Sequence, residues 1–229
     1  MATLLQIDAS ARAGRPNADP SGIDRHGSHT RRLTARFAAR WQASRAKDTL
    51  LYRDVAAEPP RPVDGAWVAA AFTPPATRTA AMRDALAESD RLVAELLAAD
   101  VLVIGAPMYN FGLPAPLKAW IDNIVRVGVT FGFDRGRGAE PYWPMLPPGK
   151  RLVIVSARGD FGYDPGGRIA HLNHVEGGLA APLGYIGLTD TAGVAVEYDE
   201  FGDDRLRASL TRAEAAIDAL ADRMANDTP

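Results

Sequence analysis

Val101-Leu102-Val103-Ile104-Gly105-Ala106 runs without a polar break into Pro107-Met108-Tyr109-Asn110-Phe111-Gly112. The first six residues are continuously apolar rather than alternating. A strand buried on both faces requires this, and such strands belong to parallel sheets covered by helices. Residues 151–156 repeat the pattern with L-V-I-V-S, and 3–7, 48–52 and the weaker 192–196 complete a set of expected strands. Helical periods fill the gaps: Leu33, Phe37 and Trp41; Leu86, Val93, Leu96 and Leu97; Leu117, Trp120, Ile121, Ile124 and Val125. A last stripe, Leu206, Leu210, Ala213, Ile217, Leu220 and Met224, marks an amphipathic helix near the end. Strand and helix alternate throughout, so the expected fold is α/β, one domain over residues 1–229 with a central parallel sheet. Three stretches interrupt the alternation: an extended loop at about 9–27, a Pro-rich stretch at 58–75, and 128–149, rich in Gly and Pro with Phe131, Phe133, Tyr142 and Trp143. Loops of this length in a compact domain are often functional.

Composition narrows the chemistry. The 229 residues carry 26 Lys plus Arg against 28 Asp plus Glu, a formal net charge of −2, with 47% hydrophobic residues and no cysteine. Without cysteine there is no disulfide framework, thiol nucleophile, Cys-ligated zinc or Cys-ligated iron–sulfur cluster. Electron transfer would need a bound organic cofactor or a non-thiolate metal. Near-neutral charge gives no reason to expect nucleic acid or an anionic membrane as partner. The apolar runs fall far short of the roughly 20 residues of a spanning helix, and residues 1–8 lack the basic and apolar regions of an export signal. A cytoplasmic protein is expected.

In open α/β sheets ligands bind beyond the carboxyl ends of the strands. After the first strand come Ser10 and then Ser28-His29-Thr30 at the expected start of a helix. Free N–H groups and the positive dipole end there suit a phosphate, and an N-cap role for Ser28 or Thr30 is an equal alternative. Neither G-x-x-x-x-G-K-[ST] nor G-x-G-x-x-G is present. After the third strand, Tyr109 and Phe111 stand at the ligand edge, where turns usually carry small polar residues. A planar conjugated ligand suits them; aromatics covering the core are the alternative. After the fourth strand comes Ser156-Ala157-Arg158-Gly159-Asp160-Phe161-Gly162. Its glycines allow close approach of backbone to a ligand, and Arg158 could oppose a developing anion or be a surface residue of a turn.

Other candidates are weaker. His171 and His174, with Glu176 nearby, have ligand-like spacing on an expected helix, but a solvated face explains them more simply than a metal. Ser156 lacks the G-x-S-x-G elbow of a hydrolase. Asp8 and Asp54 follow strands as in phospho-acceptor pockets, without the matching acidic pair and Lys. The arginines between Arg31 and Arg45 read as a solvated helix surface.

Taken together, Pro107-Met108-Tyr109-Asn110-Phe111 followed by L-K-A-W-I-D-N-I-V-R-V-G-V-T-F at residues 117–131 resembles the signature of the FMN-dependent NADH azoreductases, among the flavodoxin-like quinone reductases. The resemblance extends to Ser10…Ser28-His29-Thr30, to Arg158-Gly159, and to L-G-Y-I-G-L-T-D at residues 183–190. It implies a flavodoxin-like, five-stranded parallel sheet flanked by helices on both faces, and a homodimer with FMN near the subunit interface. Ser10, Ser28, His29 and Thr30 would then surround the FMN phosphate. Pro107, Met108, Tyr109, Asn110 and Phe111 would hold the ring system, with Ala157, Arg158, Gly159 and Asp160 along its other edge. Phe131 and Tyr185 would shape the substrate pocket, and Tyr185 could polarise the acceptor. NADH or NADPH would reduce the flavin, and a quinone or azo compound would then take the electrons in a ping-pong sequence, with no side-chain nucleophile and no metal. A flavodoxin-like electron carrier or a flavin-binding regulatory module is the alternative.

The sequence departs from the family pattern in its longer 9–27 loop, in Ala157 and Asp160 where the family has S-R-G-G, in Tyr185 where Phe is usual, and in 174–178, which lacks an aromatic. An acidic group near the flavin would disfavour its reduced, anionic form.

Overall fold

The computed structural model describes residues 1–12 and 27–228, so most of the extended loop lies outside the described residues. The strands are β1 (Thr3–Asp8), β2 (Thr49–Asp54), β3 (Val101–Pro107), β4 (Phe131–Phe133), β5 (Tyr142–Pro144), β6 (Arg151–Ala157) and β7 (Asp190–Val196). The helices are α1 (His29–Ser44), α2 (Gly65–Phe72), α3 (Ala80–Ala98), α4 (Ala115–Ile124), α5 (Glu176–Ile186) and α6 (Asp204–Asp227).

Five strands form a parallel sheet in the order β2-β1-β3-β6-β7. This is the doubly wound, flavodoxin-like order, and its reversal of direction falls between β1 and β3. The continuous apolar runs split into two stripes, because successive strand side chains point to opposite faces. Leu5, Ile7, Leu102, Ile104, Leu152 and Ile154 pack against α3, α4 and α5. Leu4, Val101, Val103, Val153, Val155, Val194 and Val196 pack against α1 and α6. Helices therefore cover both faces, as expected.

Other features differ from the sequence reading. The Pro-rich stretch contains α2, whose N-cap Asp64 accepts the Trp67 N–H at 2.8 Å. Its prolines flank that helix rather than interrupt it, which is where proline is tolerated. The stretch 128–149 holds an antiparallel hairpin of β4 and β5. His171 lies in a short 3-10 turn, Ala170–Leu172, and α5 starts only at Glu176, so the two histidines do not share an α-helical face.

The arginines of α1 are not simply solvated. Arg32 pairs with Glu214, Arg36 with Asp218 at 2.7 Å and Arg40 with Asp222 at 2.7 Å, a ladder to α6 with the same four-residue step on both helices. No helix among the described residues is long and apolar enough to cross a membrane.

Candidate functional site

At the carboxyl ends of β1, β3 and β6 lies a cleft of about 210 Å³, walled by Ser10, Arg12, Ser28, His29, Thr30, Pro107, Met108, Tyr109, Ala157, Gly159, Asp199 and Glu200. Its helix wall depends on close packing. A Cβ on Gly105 of β3 would stand 2.7 Å from Asp8 Oδ1 and 3.3 Å from Thr30 Cβ, so glycine lets the first turn of α1 rest on the sheet. Asp8 beneath it is buried and accepts from Thr34 Oγ1 at 2.7 Å and Gln6 Nε2 at 3.1 Å. Burial pushes its carboxyl above the usual range, and those hydrogen bonds only partly oppose the rise.

Arg31 ties the loop after β1 to the sheet. It forks onto Asp54 at 2.6 and 2.8 Å and donates to the Ser10 carbonyl at 2.7 and 3.2 Å. Burial raises the Asp54 carboxyl, but the Arg31 hydrogen bond and charge and the Ala57 and Ala56 N–H groups outweigh it, leaving the group below its ordinary value. Burial and the charges of Asp8 and Asp54 push the Tyr52 phenol up to about 12. Asp54 thus supports the loop through Arg31, while Asp8 holds Thr34 of α1 against the sheet.

At the helix start, Ser28 Oγ accepts the Arg31 N–H at 3.2 Å and lies 3.2 Å from Thr30 Oγ1. Ser28 is therefore an N-cap, and this does not exclude a phosphate. The N–H groups of His29 and Thr30 have no acceptor within the helix and belong to the same wall. His29 Nε2 meets Asp199 Oδ1 at 3.0 Å, and Arg12 reaches Asp199 at 3.4 Å. Burial raises the Asp199 carboxyl, but His29 and Arg12 more than reverse this and hold it low.

The β3 exit is a tight turn in which Tyr109 and Gly112 exchange both backbone hydrogen bonds at 3.1 Å. Asn110 and Phe111 between them have φ of 48° and 69°. Left-handed backbone at both central residues is the two-residue hairpin geometry. Asn adopts it readily, whereas Phe does so at a cost of about 1–3 kcal/mol, typical of strain kept at functional sites. The Phe111 carbonyl accepts from His174 N at 3.0 Å, and Tyr109 Oη accepts from Ala11 N at 3.0 Å. Both aromatic side chains remain exposed.

Ser10, Ser28, His29, Thr30, Pro107, Met108, Tyr109, Ala157 and Gly159 thus share one cleft, with Asn110 and Phe111 in the turn beside it. Other expected residues stand apart. Arg158 is 2% exposed and donates to Glu176 Oε1 at 2.6 Å, Asp164 Oδ1 at 2.8 Å and Glu197 Oε1 at 3.2 Å. It borders a second cavity of about 450 Å³, shared with Ile154, Tyr163, Asn173, Ala180 and Thr191. Extended chain turns successive side chains to opposite sides; here Ala157 and Gly159 wall the cleft while Arg158 points away. It is neither a surface residue nor part of the cleft wall.

Asp160 pairs with Arg168, which together with the Phe161 N–H holds its carboxyl below the usual range. Phe131 and Tyr185 pack against each other at 5.2 Å and against Tyr142, in a cluster outside the cleft walls. Asp199 and Glu200, which do wall the cleft, were not singled out in the sequence. The signal was available, because E-Y-D-E follows directly on the last strand, where the strand-end rule also applies.

A parallel sheet in this order, with a helix N-terminus, hydroxyls and an aromatic turn meeting at its switch point, defines a protein of flavodoxin-like fold with a candidate ligand cleft at the strand ends. A family described by its flavodoxin-like fold matches residues 17–221, and the chain belongs to it. Among its relatives is FMN-dependent NADH:quinone oxidoreductase 2 of Idiomarina loihiensis, 42% identical over 228 residues, covering 100% of this chain and 92% of that protein. The FMN-dependent NADH:quinone oxidoreductase of Opitutus terrae is 44% identical, covering 98% and 99%. A solved structure of an FMN-dependent NADH-azoreductase from Bacillus anthracis in complex with FMN has a TM-score of 0.76 at 18% identity, covering 96% of this chain and 100% of that one.

Proposed function

We propose that this chain is an FMN-dependent oxidoreductase that passes two electrons from NADH or NADPH to a quinone or an azo compound. The observation that carries this reading is the cleft at the β1/β3 switch point, where a capped helix N-terminus and the Tyr109 turn meet. Its donors suit a phosphate monoester attached to a flat ring system. Two N–H groups at the start of α1 and the hydroxyls of Ser10, Ser28 and Thr30 supply neutral donors without a lysine. Ser10, Ser28, His29 and Thr30 would hold the phosphate. Pro107, Met108, Tyr109, Asn110 and Phe111 would hold the ring system, with Ala157 and Gly159 opposite. Relatives bearing the name FMN-dependent NADH:quinone oxidoreductase over almost their whole length support the same assignment.

FMN, when bound, supplies reversible two-electron chemistry that lets donor and acceptor use one site in turn, giving ping-pong kinetics. The chain binds, orients and excludes water; no side chain acts as nucleophile. Arg158 acts from behind the cleft by fixing the β6 exit, and Asp160 is turned to Arg168.

A homodimer goes with this reading. Phe133, Tyr142 and Tyr185 are each at least 41% exposed and lie in one aromatic cluster with Phe131, the kind of apolar patch that marks an interface. Burial of that cluster against a second copy would bring Phe131 and Tyr185 into a shared acceptor pocket. A cytoplasmic setting, where reduced nicotinamide nucleotides are kept, is consistent with the reaction.

Purified protein titrated with FMN should turn yellow and quench flavin fluorescence at one equivalent per chain, then bleach with NADH or NADPH and recover its colour with benzoquinone or an azo dye. Parallel lines in double-reciprocal plots are expected. A protein that binds no FMN, or that oxidises no nicotinamide with any such acceptor present, overturns the reading. A monomer passing electrons only to a protein partner would favour the electron carrier instead.

A further inference from the structure

We infer that Glu200 is the residue by which this chain sets its preference between oxidised and reduced flavin, an inference that rests on the FMN reading above. Two backbone contacts fix its place. The Glu200 N–H donates to the Gly159 carbonyl at 3.1 Å, and the Asp199 N–H donates to the Arg158 carbonyl at 3.2 Å. The side chain then lies over Gly159: a Cβ built there would meet Glu200 Cδ and Oε1 at 2.6 Å and Cγ at 2.8 Å. Gly159 thus seats a carboxylate in the cleft wall, in addition to allowing a ligand close to the backbone.

Its charge is uncompensated, unlike every other charge around the β6 and β7 exits. Asp199 is taken by His29 and Arg12, Asp160 by Arg168, and Arg158 by Glu176, Asp164 and Glu197. Among the described residues the Glu200 carboxylate has no hydrogen-bond or ion-pair partner; it is exposed to solvent at the rim and stands in the same wall as Gly159, Ala157 and Met108.

Reduction adds an electron pair and a proton to the flavin ring, and the product is an anion near neutrality. A carboxylate in the wall disfavours that added negative charge. Arg158, turned away and neutralised, does not oppose it. Glu200 therefore makes the reduced protein a stronger donor, the role that the sequence suggested for Asp160.

The test is Glu200→Gln, which keeps the packing over Gly159 and removes the charge. The dissociation constants of oxidised and reduced FMN and the midpoint potential of the FMN-loaded protein are measured at neutral pH, in low and high salt. The variant should favour reduced over oxidised FMN about tenfold more than the unmodified chain does. For a two-electron couple this is a rise of about 30 mV, and the difference should shrink as salt screens the charge. Glu200→Ala separates charge from bulk. If both forms of FMN bind equally more tightly to the alanine variant while the glutamine variant keeps the unmodified potential, Glu200 only fills space and the inference fails. If the unmodified chain binds no FMN, the FMN reading and this inference fall together; binding with an unmoved potential overturns this inference alone.

Discussion

The strand-end cleft and the cavity behind Arg158 share one short turn but are built on opposite principles. In the cleft, the neutral donors of the α1 N-terminus, the hydroxyls of Ser10, Ser28 and Thr30, and backbone stand beside one paired carboxylate, Asp199 with His29 and Arg12, and one unpaired charge, Glu200. Behind it, a buried guanidinium is held by three carboxylates. A charge bound three ways is a structural brace, because moving it would leave several groups unpaired in a poor solvent. An unpaired charge at the rim of a cleft is free to act on a ligand. Arg158, which the sequence offered as a charge to oppose a developing anion or as a surface residue of a turn, is therefore the brace.

Removing the guanidinium tests that contrast with the largest expected effect. Arg158→Met leaves Glu176, Asp164 and Glu197 without their cation, and denaturant unfolding should show a loss of about 3–5 kcal/mol. A variant of unchanged stability but poor FMN affinity would instead put Arg158 in the cleft. Glu176→Gln should be milder, a loss of about 1.5–3 kcal/mol for hydrogen bonds to charged groups. It also carries a pH signature. Burial raises the Glu176 carboxyl, but Ser156 and Arg158 outweigh it, so the folded value lies below the ordinary one. Its stabilisation is complete above the unfolded carboxylate range of about 4 and is lost as pH falls through the folded value. Stability curves of the glutamine variant should therefore fall less steeply on the acid side, and an unchanged acid slope would count against the pairing.

On the cleft side, Gly105→Ala drives a Cβ against Asp8 and Thr30. A loss of about 1–3 kcal/mol is expected from overpacking, together with weaker FMN binding as the first turn of α1 is pushed off the sheet. Full FMN affinity in that variant would show that the helix start does not hold the phosphate. Smallest of all, Ser28→Ala removes the cap and should cost about 1 kcal/mol in thermal or denaturant melts. It should also lower FMN affinity, whereas a pure cap would change stability alone.

The strands and most helices were legible because their signals are local. Val101–Ala106 announces burial on both faces by composition alone, and the stripes of α1, α4 and α6 repeat within a few residues of themselves. α2 was hidden by prolines that bound it. The arginine ladder was hidden for a different reason, since Arg36 and Asp218 are 182 residues apart and only the packing of α1 on α6 brings them together. Asp199 and Glu200 escaped notice because β7 itself was a weak signal, half-exposed at the sheet edge.

The sequence by itself determined the α/β alternation, the sheet's buried strands and the three segments that end at a ligand edge, all of which follow from periodicity and turn chemistry. Only the tertiary structure decided which charges cancel. Arg158 and Glu200 are each a single charged letter near a glycine in the sequence; their opposite fates depend on which groups lie within hydrogen-bonding distance, and that distance is set by packing between β6, β7 and α5 rather than by separation along the chain.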